Sequence, residues 1–259
     1  MFKTLLVDDN DMFRQSLKSV LARHFPFMRI DEASTGAAAL HHHREHQLVF
    51  MDIRLPDTNG LELTRRLKAA RPSSLVCVIT QFDIPEYREA ANQSGASEFM
   101  VKDTLNEAAI VGLVEAMLAE RARVLIVEDD AEVRAFLSAL FEDCWPEVVV
   151  AEATWDQVSA ATSLRPDLVL LDPRPGSEGL DQLRAIYWSK EAEAMVIMVG
   201  VDQPEQVAWA LGRGIRHFVL KDEQLFDELV AAIGGKLQLP EAPRQCRLWP
   251  KGLSSRTPR

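Results

Sequence analysis

Thr4-Leu5-Leu6-Val7-Asp8-Asp9 returns 120 residues later as Val124-Leu125-Ile126-Val127-Glu128-Asp129, an apolar run ending each time in two acids. At the same offset, Leu48-Val49-Phe50-Met51-Asp52 returns as Leu168-Val169-Leu170-Leu171-Asp172. One residue short of it, Pro85-Glu86 and Gly95 return as Pro204-Glu205 and Gly214, and Phe99-Met100-Val101-Lys102-Asp103 as Phe218-Val219-Leu220-Lys221-Asp222. Solenoid repeats run about 20–50 residues, so a period this long marks a duplicated domain. The 259 residues suffice for two domains, each with its own core.

Within each copy, short apolar runs alternate with amphipathic stretches. In the first, strands are expected at 3–7, 28–32, 47–51, 75–79 and 97–101. Helices are expected at 11–24, 35–46, 60–70, 84–94 and 105–121, the last burying Leu105, Ala109, Leu113, Ala116 and Met117. Strands that are apolar throughout, alternating with helices, indicate a parallel sheet covered on both faces. Right-handed crossovers then give an α/β chain of two flavodoxin-like, doubly wound (βα)5 domains, each with a five-stranded parallel sheet. The expected division is 1–121, 122–237 and a tail over 238–259. The tail carries four prolines and Arg244, Arg247, Lys251, Arg256 and Arg259 against Glu241, so it reads as basic and disordered.

A net charge of −10 opposes affinity for a polyanion, so nucleic acid is disfavoured as a partner. Cys77, Cys144 and Cys246 are odd in number and scattered, which implies no disulfide framework and fits a reducing cytoplasm. No apolar stretch is long enough for a membrane span, and a soluble cytoplasmic protein is expected.

In a doubly wound sheet, side chains just beyond the carboxyl ends of the strands meet in one crevice. Here those residues are Asp8 and Asp9, Asp52, Thr80 and Lys102, at separations of 43, 28 and 22 residues from Asp9 onward. An acid after a strand can equally cap the next helix, and a lone lysine or threonine there means little. Five polar groups in this order are hard to assemble by chance. Two carboxylates about 5 Å apart repel by roughly 3 kcal/mol at an effective dielectric near 20, and three such pairs approach ~10 kcal/mol. Either one acid stays protonated or a cation sits among them, and all-oxygen ligands suit Mg²⁺ or Mn²⁺. With Asp52 as acceptor, Lys102 and Thr80 would meet the other oxygens of a phosphoryl group transferred in line.

These residues, with Met51-Asp52-Ile53-Arg54-Leu55-Pro56-Asp57-Thr58-Asn59-Gly60 and Phe99-Met100-Val101-Lys102, resemble the receiver domain of two-component response regulators over essentially all of 1–121. The resemblance implies Mg²⁺-dependent acceptance of a phosphoryl group on Asp52 from a sensor histidine kinase or histidine phosphotransfer protein. It implies that Asp9, Asp52 and the Arg54 backbone carbonyl hold the ion, with Asp8 acting through water. It also makes Thr80 and Phe99 a switch pair, although plain core packing explains Phe99 equally well.

In the second copy, Glu128, Asp129, Asp172 and Lys221 keep the acids and the lysine, and the Arg174 carbonyl stands where Arg54 would serve. Either Val199 or Gly200 replaces Thr80, and the loop after Asp172 is a residue shorter and holds Pro173 and Pro175. Asp172 thus remains a candidate second acceptor with its coupling lost or weakened, and a partly degenerate receiver that acts by contact is the favoured reading. The expected function is a phosphorelay response regulator signalling through protein contacts, without a separate output domain and with no enzymatic turnover beyond its own phosphorylation and dephosphorylation. The downstream partner is open, and a homodimer is allowed. Two alternatives stand: a haloacid-dehalogenase-like phosphatase built on Asp9-Asn10-Asp11, and a DNA-binding regulator acting through the basic tail. His42 and His46, at i,i+4 spacing, read as a solvated helix face rather than a metal pair. Trp155, Trp188 and Trp209 read as buried packing before contact surface.

Overall fold

The computed structural model describes residues 2–41 and 46–172, the strands at 195–199 and 218–220, and positions 208, 211, 212, 229, 233 and 237. The chain divides into two units, Met1–Glu120 and Arg121–Arg259. Arg174, Lys221, His42, Trp188, Trp209, Gly200 and the basic tail lie outside the described residues.

The first unit runs β1 (Phe2–Val7), α1 (Asp11–His24), β2 (Met28–Ala33), α2 (Gly36–His41), β3 (Leu48–Asp52), α3 (Gly60–Ala70), β4 (Leu75–Thr80), α4 (Pro85–Gln93), β5 (Glu98–Val101) and α5 (Glu107–Ala119). All its strands pair in parallel, in the order β2-β1-β3-β4-β5. The chain steps from β1 outward to β2, then returns across β1 to β3. The switch point thus lies between β1 and β3, where Asp8 and Asp52 leave the sheet.

Burial follows position in the sheet. The central strands β3 and β4 are buried throughout, whereas edge strand β2 is buried only at its two ends and edge strand β5 only at Val101. One face packs Leu5, Val7, Val49, Met51 and Val76 against Leu63 and Leu67 of α3. Such side chains each contribute roughly 1.5–3 kcal/mol when fully buried.

The second unit repeats the plan with β6 (Arg123–Val127), α6 (Ala131–Cys144), β7 (Val149–Ala153), α7 (Val158–Ala161), β8 (Leu168–Leu171), β9 (Met195–Val199) and β10 (Phe218–Leu220). Its order, β7-β6-β8-β9-β10, is that of the first sheet. The register repeats too: Thr4 to Val7 pair with Leu48 to Met51, and Val124 to Val127 with Leu168 to Leu171. Among the described residues no helix is long and apolar enough to cross a membrane.

Three expectations need correction. The last helix of the first unit starts at Glu107, because the Asn106 side chain accepts the Ala109 amide and a 3-10 turn occupies Lys102–Thr104. Its buried stripe is Ile110, Val114, Met117 and Leu118, while Ala116 is exposed and Leu105, Ala109 and Leu113 are half-buried. This helix is apolar nearly all round, so periodicity could not choose its inner face. His46 is no solvated helix residue; it is fully buried before β3, its Nε2 2.9 Å from Asp31 Oδ2.

The loop from Ile53 to Asn59 is anchored at both ends. The Gly60 amide donates to the Ile53 carbonyl at 2.8 Å, and Arg54 bridges to Asn59. Asp57 reaches across to α2, its two carboxylate oxygens accepting the Gly36 and Ala37 amides at 2.8 and 2.9 Å. A Cβ at Gly60 would lie 1.8 Å from the Asp52 carbonyl oxygen. Gly60→Ala is therefore expected to cost more than about 2 kcal/mol, read as a fall in the urea midpoint. Gly112 of α5 faces open space, so Gly112→Ala should raise the midpoint by the equivalent of about 0.5–1 kcal/mol. The Gly36 and Ala37 amides hold the Asp57 carboxyl below its ordinary 3.8. The stability this lowered carboxylate contributes is fully present above pH 3.8 and is lost as pH falls through its lower folded value. Asp57→Asn should thus destabilise the first unit at neutral pH, with the difference from the parent closing below pH 3.8 in a pH series of melting curves.

Candidate acidic site at the strand ends

Asn10, not an acid, caps α1: its side chain accepts the Phe13 amide at 3.0 Å. This frees Asp8 and Asp9 for other work. Asp8 is 4% exposed, its Oδ1 accepting the Asn10 amide at 2.9 Å. Asp9, one residue further out, is exposed. Asp52, at the end of β3, is 6% exposed. Carboxylate oxygens of Asp8, Asp9 and Asp52 all lie within 4.8 Å of one another.

Lys102, directly after β5, brings its ammonium between two of them, 2.7 Å from Asp8 Oδ2 and 2.8 Å from Asp52 Oδ2. The Phe13 ring lies beneath it, 4.7 Å from Nζ. Burial by itself would lower the Lys102 ammonium, but the hydrogen bonds to Asp52 and Asp8 outweigh it and its pKa is raised. Burial pushes the Asp8 carboxyl above its usual range, with Lys102 and the Asn10 amide offsetting only part. One ammonium against three carboxylates leaves surplus negative charge. Three hard oxygen donors with that surplus fit a small divalent cation.

Thr80, at the end of β4, is 1% exposed, and its hydroxyl accepts the Phe82 amide at 3.3 Å. Asp9, Asp52, Arg54, Thr80, Phe82 and Lys102 border one open cavity of about 190 Å³. Over it, the Arg54 guanidinium stacks on the Phe82 ring, 4.6 Å from the centroid. All five strand-end residues expected in the first unit are therefore present at one edge. Phe99 does not border that cavity: it is half-buried against the cluster of Ile53, Leu61, Val78 and Ala91, with the Arg88 guanidinium 4.6 Å over its ring. Sequence reading missed Asn10, Phe13, the Arg54–Phe82 stack and Arg14, whose Nη1 donates to the Asp8 carbonyl at 2.6 Å. Only the cap had a local signal, an Asn directly before a helical pattern.

The second unit's edge differs. Glu128 is buried and its Oε1 accepts the Asp130 amide at 3.0 Å, as Asp8 does with Asn10. Asp129 Oδ1 accepts the Trp155 amide at 3.2 Å, and the Trp155 indole donates to the Asp172 carbonyl at 2.9 Å. Trp155 is thus buried packing with a structural hydrogen bond. Among the described residues, Asp8, Asp9 and Asp52 are the one trio of acids whose ligand atoms converge. Register decides what replaces Thr80. Met51 pairs with Val78, and its counterpart Leu171 pairs with Ile197, so two residues on Val199 takes the place of Thr80. Likewise Phe218 stands in the register of Phe99.

The response regulator receiver domain model matches residues 4–115 and again 124–234. Among curated proteins, a response regulatory protein of Vibrio cholerae is 35% identical over 104 residues, covering 39% of this chain and 39% of that protein. The response regulator GacA of Pseudomonas aeruginosa is 29% identical over 123 residues, covering 47% of this chain and 58% of GacA. The chain spans less than two thirds of the length of these relatives. Among solved structures, a CheY-like receiver domain protein of Methanospirillum hungatei is similar at 24% identity and a TM-score of 0.43, covering 46% of this chain and 95% of that one. Both copies of the repeat match the same model, and the chain belongs to the response regulator receiver domain family of two-component signalling, which it contains twice in tandem.

Proposed function

We propose that the first unit is a phosphoacceptor that takes a phosphoryl group on Asp52 in the presence of Mg²⁺ or Mn²⁺. The observation that carries this reading is the Lys102 ammonium held against Asp52 Oδ2 beside the three converging carboxylates. A phosphohistidine on a sensor kinase or phosphotransfer protein fits as donor. An Asp52 oxygen forms the new bond to phosphorus while the phosphorus–nitrogen bond breaks, and the imidazole leaves with a proton. Lys102 compensates charge on a phosphoryl oxygen, and the Thr80 hydroxyl, which accepts the Phe82 amide, keeps its own proton to donate to another. Asp9, Asp52 and the Arg54 carbonyl would hold the cation, with Asp8 behind them. A bound dication supplies charge neutralisation between the carboxylates and the incoming group. On this reading the protein is a stoichiometric signal carrier rather than a turnover enzyme, and its output passes through protein contacts.

The second unit supports a weaker role. Val199 carries no hydroxyl where Thr80 does, and Asp129 is engaged by the Trp155 amide. Asp172 is then a poor acceptor, and this unit acts chiefly by contact.

Labelling with radioactive acetyl phosphate tests both statements. The parent should take up about one equivalent in Mg²⁺ and none in excess chelator. Asp52→Asn should lose most of the label and Asp172→Asn little of it. Full labelling of the Asp52→Asn variant would overturn the assignment.

A further inference from the structure

Arg14 of α1 does not border the open cavity shared by Asp9, Arg54 and Thr80, yet its side chain is only 11% exposed and the polar groups it meets belong to the acidic turn or its support. Its Nη1 donates to the Asp8 carbonyl at 2.6 Å, its Nε to Glu32 Oε2 at 3.0 Å, and its Nη2 to Asp11. Glu32, on β2, is held on its other oxygen by Lys18. The guanidinium thus ties the peptide joining Asp8 to Asp9 to the neighbouring strand.

The second unit repeats the arrangement 120 residues on. Arg134 Nη1 donates to the Glu128 carbonyl at 2.6 Å and to the Asp129 carbonyl at 3.2 Å, and its Nε lies 3.6 Å from Glu152. Ser138 replaces Lys18, its hydroxyl donating to Glu152 at 2.7 Å. The arginine, the glutamate and the carbonyl they fix persist where the third partner changes. A group kept only for surface charge would not need the same carbonyl in both copies.

We infer that Arg14 is a positioning residue for the first site: by fixing the Asp8–Asp9 peptide it sets where Asp9 presents its carboxylate, and so the affinity for a divalent cation. This rests on the reading of the acidic trio as a cation site. Asp9 is exposed and lacks the packing that holds Asp8 and Asp52, so its direction depends on its backbone. The effect has a sign that separates it from simple electrostatics. Removing a positive charge beside a cation site would by itself tighten binding of a dication, whereas loss of positioning weakens it.

Calorimetric titration of the full chain with Mn²⁺ provides the test, in a background of Asp129→Asn so that the first unit dominates the signal. Arg14→Met should weaken Mn²⁺ binding by about tenfold or more, the usual effect of losing a group that orients metal ligands. Arg14→Lys keeps the charge but cannot span the carbonyl and Glu32 with one planar fork, and it should weaken binding as well. Lys18→Met removes the other cation from Glu32 but leaves the Arg14 bond to the Asp8 carbonyl, so binding should stay within about twofold of the parent. Circular dichroism melts establish that each variant is folded; if Arg14→Met is not, Arg14→Lys decides. Unchanged or tighter Mn²⁺ binding in a folded Arg14 variant overturns the proposal. A parent that binds no Mn²⁺, or whose binding survives Asp9→Asn, sinks the cation-site reading and this inference with it.

Discussion

The Lys102 ammonium bridging Asp8 and Asp52 is the contact on which the first unit's acidic edge depends. It joins the ends of β1, β3 and β5, strands that are not all neighbours in the sheet. Two buried carboxylates at the switch point would otherwise face one another with little solvent to screen them. The lysine relieves part of that repulsion and is itself held charged by it. Asp9 remains as a third, exposed acid, so the edge is incomplete without further positive charge.

Around this bridge, most of the structure serves to hold directions. Asn10 takes the capping work that would have occupied an acid. Phe13 lies under the ammonium, Arg14 fixes the carbonyl before Asp9, and Asp57 ties the loop after Asp52 to the start of α2. Gly60 lets that loop close directly over the Asp52 carbonyl. On the proposed function none of these groups would carry the chemistry, yet each would restrict where a reacting oxygen sits, which is the main resource available to phosphoryl transfer.

The second unit shows what the fold keeps when the site changes. Strand order, register, the arginine clamp and the turn that buries Trp145 in place of Phe25 are all retained. The altered parts are at the edge: Glu128 for Asp8, Val199 for Thr80, and Trp155 reaching between Asp129 and the Asp172 carbonyl. Duplication preserved the scaffold, whose packing tolerates little change, and let the strand ends drift, where only function constrains them.

The amino-acid sequence by itself determined the duplicated strand–helix grammar and the acids, threonine and lysine at the strand ends. These are readable because each is a local pattern, an apolar run of strand length stopped by a polar residue. The boundaries of α1 and α3 were legible for the same reason, each having a cap beside its first turn. Only the tertiary structure decided that the inner face of α5 runs through Ile110, Val114, Met117 and Leu118, and that Val199 rather than Gly200 replaces Thr80. It also brought Arg14 to the Asp8 carbonyl and His46 to Asp31. Each of these depends on the distance or register between separate elements, and that quantity is set by packing rather than by any local run of residues.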